Sequence, residues 1–374
     1  MQGTLLLRES DVQKALSVES AISAVRDGFR QAGLGLAQSP PWRDVRFNGL
    51  AEPHGAGPGI TQAMAYLASE RVAILKHFYS FAESSTAILR LIDASNGRTL
   101  AVMEANYESR MRTGAAGGVA AQCLARESAT RAGILGTGTQ ARTQIEFLAQ
   151  VRPIRKIYAF SVDSAERQQG FALHVEEATG IPVVLARRAR DVVEKADILV
   201  TATPATEPIV RAEWISEGLH ITSMGADDPH KAELAADVFA KANRIVIDSG
   251  KALETKQVRS AFREGILTAD DTFATIGEIV AGIEPGRQDD LETTAFLSAG
   301  TSVQDAAIAL VVYRAACERG LGTEVRLDNG RATRAAPHAP WREDMFDAWV
   351  AATLSEGETA QSRPPARGDG KRGG

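Results

Sequence analysis

Apolar residues fall in short, turn-bounded runs over the first hundred positions. After about position 130 they settle into a regular strand–helix alternation. Leu5-Leu6-Leu7 reads as a short strand, and Ile22, Val25 and Phe29 share one helical face. Ser10 and Ser17 are read as caps of two successive helices, because a hydroxyl accepts from an orphan N–H at a helix start. Glu19 then sits in the first turn of the second helix, where negative charge suits the dipole. Between 41 and 92, short apolar runs alternate with Pro53, Gly55, Gly57, Pro58 and Gly59. That pattern predicts antiparallel strands joined by turns, with Ile74-Leu75 and Ile88–Ile92 the strongest candidates. Arg112–Arg126 is rich in Ala and Gly at helical spacing and predicts a helix that another backbone approaches closely.

Strand candidates then follow at Ala132–Leu135, Ile157–Phe160, Ile198–Thr201, His220–Met224 and Arg244–Asp248. Helices lie between them, such as Thr139–Gln150 and Ser164–Ala178, and a last one runs over Val303–Arg319. Such alternation implies an α/β fold, a parallel sheet with helices on both faces. At 374 residues two domains are expected. The tail after about Asp328 changes character, and its end, SRPPARGDGKRGG, is read as disordered.

Composition narrows the function classes. With 44% apolar and 24% charged residues this is an ordinary folded chain. A net charge of −5 argues against a nucleic-acid or anionic-membrane partner. No run of about 18 apolar residues offers a membrane-spanning helix, and the three leucines near the start are too few for a signal peptide. Cys123 and Cys317 stand far apart, which excludes a disulfide framework and a cysteine zinc site. A reducing cytoplasm is the expectation. No His/Asp cluster has metal-ligand spacing, so no metal is expected.

The segment Gly136-Thr-Gly138-Thr-Gln140-Ala141 reads G-x-G-x-x-A, directly after an apolar strand and before a helix. Gly136 permits the tight turn, Gly138 lets backbone approach a pyrophosphate, and Ala141 packs helix on strand. The ribose reader belongs near the end of the next strand. Asp163 there would accept from a 2′-hydroxyl and favour NAD, whereas Ser161 would tolerate the 2′-phosphate of NADP. The cofactor is therefore NAD or NADP, with NAD slightly favoured. Thr203 ends another strand and is a further candidate contact.

Several motifs, in order, resemble the ornithine cyclodeaminase/μ-crystallin family over Leu5 to about Gly322. They are Pro41-Trp42-Arg43, Met64-Ala-Tyr66-Leu67, Lys76, Arg112-Thr113-Gly-Ala-Ala, the glycine motif, Gly225-Ala-Asp227-Asp-Pro229-His-Lys231-x-Glu233, and Ser298-x-Gly300 followed by Asp305. The resemblance implies a Rossmann dinucleotide-binding domain at 116–300. It also implies an α+β substrate-binding and dimerisation domain at 1–115, completed by about 301–328, with 329–374 as a tail. It implies a homodimer, NAD(H) or NADP(H), and a small amino-acid or imino-acid substrate.

By that resemblance Arg43, Met64, Lys76 and Arg112 bind substrate, the arginines taking the α-carboxylate. Asp227 and Lys76 are the catalytic pair. Arg112, Thr113, Gly136, Gly138, Gln140, Ala141, Ser161, Asp163, Thr203, Met224, Gly225 and Ser298 contact the cofactor. Arg46, three residues beyond Arg43, is the alternative arginine. Asp227 follows a strand's carboxyl end, where a carboxylate takes a proton from an amine or steadies an iminium. Asp228 departs from the family pattern, Lys231 is placed to balance the two acids, and Glu233 is read as structural. His77 and His230 fall outside the catalytic positions. Two activities are implied: an NAD(P)-dependent amino/imino-acid oxidoreductase, or an ornithine cyclodeaminase that recycles bound NAD. The run Arg112-Thr-Gly-Ala-Ala-Gly-Gly118 and the bulky Lys76-His-Phe-Tyr79 segment are more similar to the dehydrogenases. A non-catalytic nucleotide binder is the third reading.

Overall fold

The computed structural model describes residues 3–47, 58–81 and 85–326. The tail 329–374 and the turn residues Pro53, Gly55 and Gly57 lie outside the described residues. Two sheets organise the chain. The first holds β1 (Thr4–Leu7), β2 (Ala37–Gln38), β3 (Arg43–Arg46), β4 (Gly59–Leu67), β5 (Val72–Ser80), β6 (Ser85–Asp93), β7 (Thr99–Glu104) and β16 (Thr323–Val325). Its order is β16-β1-β7-β6-β5-β4-β2, with β3 also on β4. The β4–β7 meander is antiparallel, as the turn-punctuated pattern predicts.

The second sheet holds β8 (Arg131–Leu135), β9 (Lys156–Phe160), β10 (Val183–Leu185), β11 (Ile198–Thr201), β12 (His220–Ser223), β13 (Arg244–Ile247), β14 (Ala274–Thr275) and β15 (Thr294–Leu297). Every pairing in it is parallel, in the order β10-β9-β8-β11-β12-β15-β13-β14. β8 and β11 are neighbours from which the chain winds in opposite directions. That is the switch point where such sheets hold ligands. The short apolar run of β15 was not anticipated. It inserts between β12 and β13, and it aims Ser298–Thr301 at the strands' carboxyl ends.

The helices are α1 (Glu9–Ala15), α2 (Val18–Gly33), α3 (Asn106–Leu124), α4 (Thr139–Val151), α5 (Ala165–Thr179), α6 (Ala189–Val193), α7 (Ala236–Lys241), α8 (Lys256–Arg263), α9 (Ile276–Val280) and α10 (Ser302–Arg319). Ser17 caps α2 by accepting from the Ser20 N–H. Ser10 does not cap α1. That helix begins one residue earlier, and the Asp11 carboxylate accepts the Arg8 N–H instead.

The small residues of α3 serve a close crossing. A Cβ on Gly117 would fall 2.0 Å from Gln144 Oε1, and one on Gly114 would fall 2.6 Å from Phe147 of α4. A single apolar core joins the inner face of the first sheet (Ala65, Ile74, Leu89) through α2, α3 and α10 to Phe147, Val246 and Phe296 of the second layer. The described residues form one compact unit, and among them no helix is long and apolar enough to cross a membrane.

Candidate active site

The turn after β8 opens the first cavity, of about 890 Å³. Its walls are the residues just past three neighbouring strand ends: Gly136–Thr139, Ser161–Asp163 and Ala202–Thr206. Gly136 has φ +105°, and a Cβ there would meet the Ala202 carbonyl oxygen at 2.4 Å, so the turn requires glycine. Gly138 caps α4, and a Cβ on it would meet nothing within 4 Å. The α4 N-terminus therefore faces open space with its N–H donors and positive dipole end. Arg142, one turn along, also lines the cavity, and its Nε has no hydrogen-bond partner among the described residues. These features fit a dinucleotide phosphate. Asp163 Oδ2 accepts from Ser161 Oγ at 2.6 Å and Thr137 Oγ1 at 2.7 Å. Those two hydroxyls hold its carboxyl below the usual range.

A second cavity, of about 960 Å³, is built from widely separated segments: Ser39–Trp42, Asp44, Arg46, Thr61 and Phe78 from the first sheet, and Asp227–Lys231, Ser249–Lys251 and Gly300-Thr301 from the second. The fully buried Glu233 joins the two cavities. It accepts from Thr203 N and Oγ1 (both 2.8 Å), Thr201 Oγ1 (2.7 Å), Ser223 Oγ (3.1 Å), Gly225 N (2.9 Å) and Ala226 N (3.2 Å). Thr203 lines the first cavity, and Ala226 leads into Asp227 of the second. Burial raises the Glu233 carboxyl, while its hydroxyl and amide donors oppose the shift. Asp248 plays the same part at the end of β13. It accepts from Ser298 Oγ at 2.7 Å and Gly300 N at 2.7 Å, and so shapes the loop over the second cavity.

Beneath this cavity lies a buried ionic cluster. Lys76 Nζ donates to Glu108 Oε2 (2.5 Å), Asp305 Oδ1 (2.5 Å) and Ser109 Oγ (2.6 Å). An ammonium has three N–H bonds, so all three are committed. Arg112 stands beside Asp305 (3.4 Å) and donates to Gln304 Oε1 at 3.0 Å. Its side chain is 11% exposed, and its NH1 lies 2.9 Å from where a Gly300 Cβ would be. Burial drives the Glu108 carboxyl up to about 7, with Lys76 pulling against it and Asp305 adding to it. Asp305 goes the other way. Burial would raise it, but Lys76 and Arg112 together hold it low. One acid of the cluster is thus firmly ionised and the other titrates near neutrality.

The ornithine cyclodeaminase/mu-crystallin family model matches residues 2–320. The chain belongs to that family. It is 35% identical over 331 residues to an alanine dehydrogenase of Archaeoglobus fulgidus, spanning 86% of this chain and 98% of that protein. A Thermococcus litoralis Δ(1)-pyrroline-2-carboxylate reductase, solved with NADH and L-proline, superposes with a TM-score of 0.80. It is 33% identical and covers 86% of this chain and 100% of its own. An archaeal alanine dehydrogenase dimer with bound NAD gives a TM-score of 0.79 at 35% identity, over 87% and 99%.

Against this family's expected site, the structure sorts the candidate residues. Gly136, Gly138, Ser161, Asp163 and Thr203 line the first cavity, and Asp227 lines the second. Asp227 is 51% exposed, and its Oδ1 accepts from Lys231 Nζ at 2.6 Å. Asp228 shares that lysine at 3.6 Å. The two acids hold the Lys231 ammonium above its usual value, although burial opposes them.

Arg43 and Met64 are placed elsewhere. In β3 and β4, side chains alternate between faces, and the register sets Asp44 opposite Thr61 and Arg43 opposite Gln62. Asp44, Arg46 and Thr61 face the cavity. Arg43 and Met64 share the outer face with His77, so the arginine expected to bind carboxylate is not at this cavity. Arg46, which pairs with Asp44 at 3.3 Å, is. Lys76 is under the cavity floor and reaches a substrate only by releasing one of its three acceptors.

Arg112, Thr113, Gln140, Ala141, Met224, Gly225 and Ser298 line neither cavity, although Arg112 reaches Gly300, which lines the second. Thr113 donates to the Ser109 carbonyl, Ser298 donates to Asp248, and Ala141 is core. Gly225 permits close approach, since a Cβ there would meet the Thr203 carbonyl oxygen at 2.2 Å. Glu108, Arg142, Asp248 and Lys251 were missed. Glu108 stands in the first turn of α3, one turn before its small-residue run, and local sequence carries no sign that it is fully buried.

Proposed function

We propose that this chain is an NAD(P)-dependent oxidoreductase acting at the α-carbon of a small amino or imino acid, with NAD the favoured cofactor. The carrying observation is the Glu233 carboxylate, which locks the loop of the dinucleotide-like cavity to the loop that presents Asp227. The alanine dehydrogenase and the pyrroline-carboxylate reductase similar to this chain support the reaction class.

When bound, the nicotinamide supplies hydride exchange with the substrate α-carbon. Gly136, Gly138, Arg142 and the α4 N-terminus would hold the phosphates, and Asp163 the adenosine ribose. Arg112 receives the α-carboxylate, since a guanidinium offers fixed parallel donors. Asp305 orients that guanidinium, and Lys76 keeps Asp305 ionised. Asp227 takes the amine proton as the imine forms and returns it in reduction. Lys231 holds Asp227 in place through the exchange.

The outer face of the first sheet, with Met64, His77 and Ile88, is the proposed homodimer surface, and the cytoplasm is the proposed compartment. The test is an assay of the purified chain with NAD or NADP and a panel of amino acids, following reduced cofactor. Net reduction is expected. Ammonia and proline from ornithine without net reduction would replace this reading with the cyclodeaminase. Light scattering giving a monomer would remove the dimer.

A further inference from the structure

Among the described residues, the lysine and arginine side chains lining the second cavity pair with neighbouring acids, with one exception. Arg46 pairs with Asp44, and Lys231 pairs with Asp227 and Asp228. Lys251 has no carboxylate within 4.0 Å among the described residues. Its Nζ donates to the Ala299 carbonyl oxygen at 3.1 Å and sits 4.0 Å over the Trp42 ring centroid. It lines the cavity from the turn after β13. Trp42 is fixed in turn by its Nε1–H to Ser302 Oγ at 2.9 Å and by stacking on Phe78.

An aromatic face is a weak counter-charge compared with a carboxylate, so this half-buried ammonium still lacks an anion. Four charged groups act on it. Asp44 of β3, Asp227 after β12 and Asp248 after β13 favour its charged form, and Arg112 of α3 opposes it. Burial outweighs the acids and pulls the ammonium below its ordinary value. Arg112 and Lys251 therefore repel one another across the loop Ala299-Gly300.

We infer that Lys251 is a specificity-determining residue that binds a second, side-chain carboxylate, so that the substrate class is a dicarboxylic amino or imino acid. The inference rests on the oxidoreductase reading for the identity of the reacting end. Arg112 takes the α-carboxylate and Lys251 the distal one. A dianion between them neutralises a repulsion that a monocarboxylate such as alanine leaves half open. Trp42 spaces the two sites: its Cη2 lies 3.6 Å from the Gly300 Cβ position that Arg112 NH1 also approaches, while its ring face carries Lys251.

The test compares L-alanine, L-aspartate and L-glutamate as substrates of the full chain, wild type and Lys251→Met, with Lys251→Arg as the conservative rescue. Wild type should prefer a dicarboxylate in kcat/KM by about 10-fold or more. Lys251→Met should lose at least about 10-fold more on the dicarboxylate than on alanine, as expected for removing one partner of a desolvated charge pair. Lys251→Arg should restore most of that difference. Equal losses on alanine and aspartate would overturn the inference, because Lys251 would then serve the α-carboxylate or the cofactor.

A binding arm separates this outcome from failure of the oxidoreductase reading. Calorimetry of the NADH-loaded protein with succinate and with propionate should show succinate binding about 10-fold tighter, and Lys251→Met should remove that gap. If no amino or imino acid turns over but the succinate gap holds, the reaction class is wrong and the anion site stands. If succinate and propionate bind alike, the anion site falls whatever the turnover.

Discussion

The two cavities have nearly the same volume, about 890 and 960 Å³, but they are made differently. The first is lined by runs of neighbouring residues at three adjacent strand ends, and its main donors are backbone amides. The second is lined by residues from segments of both sheets, and its charges (Asp44, Arg46, Asp227, Asp228, Lys231, Lys251 and Glu254) come from segments far apart in the chain. A backbone-built site tolerates side-chain change around it but not loss of its glycines. A side-chain-built site depends on charge balance, residue by residue.

The largest effect should come from the backbone-built site. Gly138→Asp places a carboxylate at the α4 N-terminus, in space where a Cβ meets nothing within 4 Å. The fold should hold and NAD(H) binding should be abolished. A folded variant with wild-type affinity by fluorescence titration would end the comparison, because the first cavity would then not be the dinucleotide site.

Next comes Asp227→Asn. It keeps the shape and removes charge and basicity, so kcat should fall by about 10²-fold or more, as for loss of a general acid–base group. NADH affinity should stay near wild type. Asp228→Asn should cost much less, because Asp228 sits 3.6 Å from Lys231 against 2.6 Å for Asp227. Should Asp228→Asn prove the severe change, the catalytic assignment moves by one residue.

Glu233→Gln probes the link between the cavities. It turns an acceptor of backbone N–H and hydroxyl donors into a partial donor, in full burial. A cost of about 2–4 kcal/mol in chemical denaturation is expected, since buried donors lose their acceptor. NADH affinity should weaken with it. A variant as stable as wild type would show that the clamp is not needed.

The smallest effect is a pH slope. Glu108 is raised to about 7, so the protonated form is favoured by folding. Its contribution is complete below the unfolded value near 4.5 and is lost as pH rises to about 7. In Glu108→Gln that loss disappears. The stability difference, variant minus wild type, should therefore grow between pH 4.5 and 7.5 by on the order of 2 kcal/mol. His220 acts oppositely and in both proteins. Burial lowers it to about 3, and its contribution, present above 6.5, is lost as pH falls. Parallel pH profiles for variant and wild type would place the Glu108 titration elsewhere.

Much of the site's frame was legible in the residues. The β8–α4 turn, the five anticipated parallel strands and helices α4, α5 and α10 fell within a few residues of their expected ranges, because period and punctuation are local signals. The position of Asp227 at the second cavity was legible as well, since it follows a strand's carboxyl end. Arg43 was not, because which face of β3 meets the cavity depends on its register with β4. A shift of one residue exchanges the faces.

The sequence by itself determined the alternating α/β body, the glycine turn between β8 and α4 and the family, all carried by contiguous residues whose backbone needs are local. Only the tertiary structure decided what each charge does. Lys76 spends its three N–H bonds on Glu108, Ser109 and Asp305. Lys251 finds an aromatic face instead of an acid. Lys76 and Asp305 lie 229 residues apart, and in a buried site a charge takes its protonation state from such partners and from lost water, neither of which is written in its neighbours along the chain.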